Sequence, residues 1–325
     1  MNNRFQVLDG WRGVSISFVL AGHLLPLGPK SWHMNAAVAA SGMALFFILS
    51  GFLITNMLLR DQSIGNFFIR RFMRIIPLAW LGMLLTLILN SSNSGVFLPH
   101  FLFYANWEPM SLTDETSHYW SLCVEMQFYV FIAILVWFLK KRAFILIPIL
   151  CVVVTANRYL NGIEIAINTY YRIDEILAGC ILALLYNYGD SVKRVVSLLN
   201  PVYMLPLLLL SAHPDGGILN YLRPYIAMLL IGATLFKTNL VWWNKWLTST
   251  LLIYLASISY ALYVIHGGLR FTWLGEGEGI LKYAKRPLLF ATTFLLAHLS
   301  TFYYEKHWIA LGKKLTQKSG QQRPD

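Results

Sequence analysis

The chain has 325 residues, of which 57% are hydrophobic and 13% charged, and its mean hydropathy is +0.56. That composition excludes a soluble domain of this length, which needs more charge to cover its surface, and describes a polytopic membrane protein. The net charge of +11 does not point to nucleic acid, because Lys and Arg cluster in short segments between apolar runs, where they set orientation in a bilayer and contact anionic headgroups.

Apolar runs lie at 13–28, 37–59, 75–90, 121–139, 143–157, 173–188, 196–212, 224–237, 248–266 and 287–304. They predict an all-α integral membrane helical bundle of about ten transmembrane helices. Basic residues ahead of the first run imitate a secretory signal. His23 interrupts that run and no small-residue cleavage site follows, so the segment is read as a retained helix. With the N-terminus in the cytoplasm, Arg4, Arg12, Arg60, Arg70, Arg71, Arg74, Lys140, Lys141, Arg142, Lys193, Arg194, Lys237, Lys245, Lys306, Lys313, Lys314, Lys318 and Arg323 fall inside, 18 of the 26 basic residues. The bias predicts N-in, C-in. Segment 91–120, expected outside, has no Lys or Arg but carries Glu108, Asp114 and Glu115. Segment 267–286 runs against the pattern, with Arg270, Lys282, Lys285 and Arg286 on the expected outer side. Trp242, Trp243 and Trp246 beside Lys245 read as an interfacial anchor. One membrane domain is expected over 1–312, followed at 313–325 by a short, polar, disordered cytoplasmic tail. Cys123, Cys151 and Cys180 lie inside apolar runs without metal-ligand spacing and read as packing residues; no metal site is expected.

Ionisable residues within the apolar runs are the candidates for chemistry, since a charged group at membrane depth is costly and is by default functional. Arg12 and His23 are eleven positions apart, which on a helix brings them within about 20° of one face and about 16 Å along the axis. His23 and Glu125 are expected at one depth. A carboxylate beside an imidazole either supports it as a general base for acyl transfer to a hydroxyl or forms a structural pair. Asp174, opening the sixth run, is either a second cavity carboxylate or an acidic residue favoured at a helix N-terminus. Tyr260, Tyr263 and His266, at i, i+3 and i+6, line either a sugar site or the aromatic outer belt. Arg70, Arg71 and Arg74 form a cluster suited to bidentate binding of phosphate oxygens, or serve as topology signals.

Six stretches in order resemble the membrane-bound acyltransferase-3 family of bacterial glycan O-acetyltransferases. They are Leu8-Asp9-Gly10-Trp11-Arg12-Gly13 with His23 beyond it; Phe46-Phe47-Ile48-Leu49-Ser50-Gly51-Phe52-Leu53-Ile54; and Arg70-Arg71-Phe72-Met73-Arg74-Ile75-Ile76-Pro77. The others are Trp120-Ser121-Leu122-Cys123-Val124-Glu125-Met126-Gln127-Phe128-Tyr129, Arg172-Ile173-Asp174, and Ser257-Ile258-Ser259-Tyr260 leading to His266. The resemblance implies a multi-pass enzyme of the bacterial cytoplasmic (inner) membrane that moves an acyl group, usually acetyl from acetyl-CoA, to a hydroxyl of a cell-surface glycan. It implies His23 as the catalytic residue and ties Arg12 and the Arg71/Arg74 pair to activity and donor binding. Some relatives append an extracytoplasmic esterase-like domain; none is expected here, and the protein is expected to act alone or with a separate partner.

The residue reading and the resemblance converge. CoA phosphates are expected at Arg70, Arg71 and Arg74, with acyl-CoA as donor substrate and no metal. A glycan or lipid-linked saccharide is the expected acceptor, with Asp174, Tyr260 and His266 as candidate substrate contacts. Catalysis is assigned to His23, Glu125 and Arg12, by direct attack on the thioester or through an acyl-enzyme. The competing reading is a transporter or flippase of a lipid-linked glycan, which uses the same buried charges for passage.

Overall fold

The computed structural model describes residues 3–90, 92–237 and 240–320, with side chains described from 6 to 317. Sixteen α-helices run through these residues: α1 (Asn3–Leu24), α2 (Met34–Arg60), α3 (Ile64–Leu89), α4 (Phe97–Phe101), α5 (Trp120–Leu139), α6 (Ala143–Leu160), α7 (Thr169–Arg172), α8 (Asp174–Tyr188), α9 (Asp190–Val196), α10 (Pro201–Ala212), α11 (Leu219–Phe236), α12 (Val241–Leu247), α13 (Thr250–Arg270), α14 (Gly279–Ala284), α15 (Arg286–Leu299) and α16 (Lys306–Gly320). A π-helical turn, Ser300–Glu305, joins the last two. No strand occurs among the described residues, so this is an all-α membrane bundle.

Each of the ten apolar runs falls on a helix or helix pair. By length and apolarity alone, five stretches are able to cross a bilayer: Met34–Arg60, Ile64–Leu89, Ser117–Leu160, Leu219–Phe236 and Thr250–Arg270. A sixth is the pair α9 and α10, bent by 87° at a short break. The others are short, as in the 15-residue α8 and the 14-residue α15, or charged, as in α1 with Asp9 and Arg12. Large apolar side chains on α3 and α6 stand exposed, among them Leu85, Ile88, Ile145, Ile149 and Val153. Such faces suit lipid rather than water.

Three boundaries differ from expectation. Helix α1 starts at Asn3 and stops at Leu24, because Val7, Leu8 and Trp11 bury its N-terminal turns and Pro26 and Pro29 follow its end. Helix α3 starts at Ile64, eleven residues before the expected run, which puts Arg70, Arg71 and Arg74 on helical turns rather than in a loop. Residues 313–320, expected as a disordered tail, continue α16. They do so because this helix packs on α3: Gly312 lies against Met73, and Arg70 Nε donates to Thr316 Oγ1 at 3.2 Å. Residues 321–325 of the expected tail, with Arg323, lie outside the described residues.

The chain divides into two compact units, one made of the residues up to Arg60 with Ile134–Ser259, the other of Asp61–Ala133 with the residues from Tyr260 on. In the first unit α2 is the hub, packed on α1 and α8. Backbones approach closely along these seams because glycine leaves room: a Cβ on Gly51 would stand 2.0 Å from the Ile176 carbonyl oxygen, and one on Gly179 2.2 Å from that of Ile48. Small residues at such contacts are the usual means of tight helix association in membranes. In the second unit α3 packs on α16 and on the π-helical turn. The segment between α3 and α5 is pinned by buried His100, whose ring sits between the Val96 carbonyl (2.7 Å) and Thr116 Oγ1 (2.8 Å). Burial pushes the His100 imidazole below its ordinary pKa. Cys123, Cys151 and Cys180 are free and buried.

Candidate functional site

In the first unit, His23 occupies the last turn of α1 and is half-buried, as is Arg12 three turns earlier. Their helix is fixed along its length. Trp11 Nε1 donates to Thr234 Oγ1 of α11 at 2.8 Å and its ring stacks on Trp243 of α12. Ser15 Oγ donates to the Gly42 carbonyl of α2 at 2.8 Å. The end that bears His23 is held by Asn35, whose amide donates to the carbonyls of Gly22 (2.8 Å) and Leu25 (2.6 Å) and accepts from Leu27 N (3.3 Å). The last carbonyls of a helix lack intrahelical partners, and Asn35 supplies them from the neighbouring chain segment. Sequence reasoning missed this residue, since nothing about Asn35 announces that it faces the end of α1.

Asp174 sits in a fully buried ionic cluster at the N-terminus of α8. Arg158 Nη1 donates to Asp174 Oδ2 at 2.6 Å, and Arg158 Nη2 donates to the Glu164 carbonyl at 2.7 Å. Glu175 Oε1 receives Arg223 Nε at 2.6 Å and Arg172 Nη1 at 3.1 Å. Three guanidinium groups thus face two carboxylates, all at most 4% exposed. Of the two roles weighed for Asp174, the packing favours the structural one, because Arg158 occupies the carboxylate and no part of it is exposed.

In the second unit, the arginines of α3 differ from one another. Arg70 and Arg74 are exposed and Arg71 half-buried. Arg71 lies over the Tyr129 ring, 5.8 Å from its centroid. Arg74 is within electrostatic reach of Arg71, Tyr129, Glu305 and Glu125. Buried Glu125 accepts a 2.6 Å hydrogen bond from the Tyr129 hydroxyl one turn along α5. Glu305 closes the π-helical turn and accepts from Thr301 Oγ1 (2.9 Å) and Ser300 Oγ (3.3 Å). A π-helical turn re-aims side chains and is frequent at functional sites. Tyr129 and Glu305 were not foreseen; the i, i+4 spacing of Glu125 and Tyr129 was the available signal for the first, whereas the π turn that aims Glu305 has no sequence mark.

Tyr260 and His266 part company. The Tyr260 hydroxyl donates to the Ile75 carbonyl of α3 at 2.6 Å. His266 is buried, its Nδ1 donating to the Tyr263 carbonyl at 2.7 Å, and its ring lies 5.2 Å from that of His118. Gly267 makes room for His118, whose ring a Cβ there would strike at 2.1 Å. The Tyr263 hydroxyl bonds the His118 carbonyl and also Ser121 Oγ, at 2.7 Å from the latter. A separate crevice of about 690 Å³, walled by α3, α13 and α15 through residues such as Leu81, Leu85, Leu269 and Leu296, includes none of the nine expected site residues.

These features define a polytopic helical membrane protein that keeps a half-buried histidine in one unit and a set of arginines, tyrosines and carboxylates in the other. The chain belongs to the acyltransferase-3 family: residues 5–302 match its acyltransferase domain. It is similar to a Staphylococcus aureus (strain COL) protein whose name carries the term O-acetyltransferase, with 25% identity over 309 residues, covering 80% of this chain and 49% of that one. It also resembles the peptidoglycan O-acetyltransferase OatA of Listeria monocytogenes, at 29% identity over 219 residues, 56% of this chain and 34% of OatA. Nodulation protein 10 of Rhizobium leguminosarum bv. viciae is 29% identical over 170 residues, 43% of this chain and 46% of the relative. The chain spans about half the length, or less, of these curated relatives. No solved structure matches it.

Proposed function

We propose that the protein is a membrane O-acetyltransferase that moves an acetyl group from cytoplasmic acetyl-CoA to a hydroxyl of a cell-envelope or exported glycan, in the bacterial cytoplasmic membrane. The observation that carries this reading is the family match over residues 5–302. Half-buried His23, on an α1 end fastened by Asn35, supports it as a fixed and reachable base. His23 takes the acceptor proton as the acceptor oxygen attacks the thioester carbonyl. The carbon–sulfur bond then breaks and the CoA thiolate leaves, with the proton passing on to it. Arg12, on the same stripe of α1, is assigned to the donor path, and Glu125 is assigned a catalytic role. Arg70, Arg71 and Arg74 are assigned to the CoA phosphates. Two of these are exposed on consecutive turns of α3, and each guanidinium fork is suited to bidentate contact with phosphate oxygens.

The test is acetyl transfer from radiolabelled acetyl-CoA to envelope glycan in membranes that hold equal amounts of wild type and His23→Ala. Removal of a general base is expected to cost about 100-fold or more in turnover. Full activity in His23→Ala overturns the catalytic assignment. Labelled donor that yields no product with any glycan fraction overturns the enzyme reading in favour of transport.

A further inference from the structure

Immediately after His23 the chain leaves α1 through Leu25–Pro29, forms a 3-10 turn at Lys30–Trp32, and enters α2 at Met34. Loops are ordinarily the mobile part of a fold, but this one is clamped at three points. Asn35 ties it to the end of α1, as described above. His213, from the segment between α10 and α11, donates from Nε2 to the Trp32 carbonyl at 2.9 Å and accepts from Asp215 N through Nδ1 at 3.1 Å. The indole of Trp32 folds back over Gly28, where a Cβ would stand 3.1 Å from Trp32 Cε3 and where the backbone has a φ of +140°. Only glycine meets both conditions without strain. The result is a large aromatic side chain that is 62% exposed yet held on a rigid shelf.

An aromatic residue that serves only as a membrane anchor needs no such clamps. Its immediate neighbours Lys30, Ser31 and His33 are also exposed and polar, so groups that hydrogen-bond hydroxyls stand on the same short loop as the indole. One face of a pyranose ring presents C–H groups with partial positive charge, which match the negative face of an indole, while its rim presents hydroxyls. From these observations we infer that Trp32 is a carbohydrate-binding platform, on which a pyranose ring of the acceptor stacks at the loop that follows His23. This rests on the proposed glycan acceptor and deepens it by locating where the sugar is held.

The experiment uses the full chain in lipid nanodiscs, with muramidase-released peptidoglycan strands as the probe. Saturation-transfer NMR reports strand binding, and steady-state assays report KM for strands and for acetyl-CoA. Trp32→Ala and Trp32→Leu are expected to weaken strand binding and raise strand KM about tenfold, the effect of about 1.4 kcal/mol, with KM for acetyl-CoA unchanged. Trp32→Phe, which keeps a ring face, is expected to stay near wild type. Leucine that rescues as well as phenylalanine identifies a membrane anchor and overturns the platform, as do unchanged strand binding in all variants or strands that fail to bind the wild type. Trp32-dependent binding without any acetyl transfer supports the platform and counts against the proposed reaction instead.

Discussion

Asp174 shows how one residue type at one place carries opposite readings until its partner is known. The sequence offered an acidic residue at a helix start near the expected outer side, compatible with a substrate contact. The structure puts it 2.6 Å from Arg158, both with fully buried side chains. Removing one member of such a pair leaves an uncompensated buried charge and costs about 3–5 kcal/mol, whereas replacing both by apolar groups of similar volume is often neutral. Asp174→Asn is therefore expected to lower the unfolding midpoint sharply in detergent, and Arg158→Met with Asp174→Leu to recover most of the loss. Protein that survives Asp174→Asn should keep its acceptor KM; a stable variant with a raised acceptor KM would restore the substrate role. The partner was illegible because Arg158 closes an apolar run sixteen residues upstream and lies there as an ordinary flanking basic residue. Residues whose task depends on their own helix were easier to read. Arg12 and His23 needed only the helical repeat, and the structure keeps both on α1. Asn35 and Glu305, whose tasks depend on another segment, could not be found that way.

At the scale of elements, the apolar pattern located the helices but not the reason for their close packing. The segment around Gly51 was noticed for its resemblance, not for any packing it implied. In the structure Gly51 and Gly179 face each other's helices across the seam of α2 and α8, each within clashing distance of a carbonyl oxygen if it gained a Cβ. Gly51→Ala and Gly179→Ala are each expected to destabilise the protein by about 1–3 kcal/mol, the usual cost of overpacking. Because either substitution opens the same seam, the double variant should lose less than the sum. Gly65, on α3, has nothing within 4 Å of the equivalent position, and Gly65→Ala should be neutral or slightly stabilising. Thermal unfolding in one detergent ranks all four; a Gly51→Ala protein as stable as Gly65→Ala would mean that α2 and α8 are not so closely apposed. The early start of α3 and the continuation of α16 were missed for a related reason. Charged turns look like loops until the helix that buries their other face is in place, and here α16 is that helix for α3.

For the whole molecule, orientation in the bilayer turns on charge. Eight basic residues lie on the expected outer side: Lys30, Arg158, Arg172, Arg223, Arg270, Lys282, Lys285 and Arg286. Taken as loop charges they weaken an N-in assignment. Three of them, Arg158, Arg172 and Arg223, are not loop charges at all, since they are buried against Asp174 and Glu175. The positive-inside bias is set by charges that stay in short flanking loops during insertion; Arg286 is buried as well, so the opposition is carried by Lys30, Arg270, Lys282 and Lys285. The expected arrangement puts Asp61–Ser63 and Lys140–Arg142 on the cytoplasmic side and the segments around Tyr104 and Gly162 across the membrane. Reporter fusions read this directly: alkaline phosphatase should be active when joined after Tyr104 or Gly162 and inactive after Asp61 or Lys141, with a cytoplasm-only fluorescent reporter giving the reverse. Phosphatase activity after Asp61 would invert the protein and move Arg70, Arg71 and Arg74 away from the compartment that supplies acyl-CoA. The assignment of those arginines to the donor falls with the orientation, whereas the assignment of His23 as base stands on its own test.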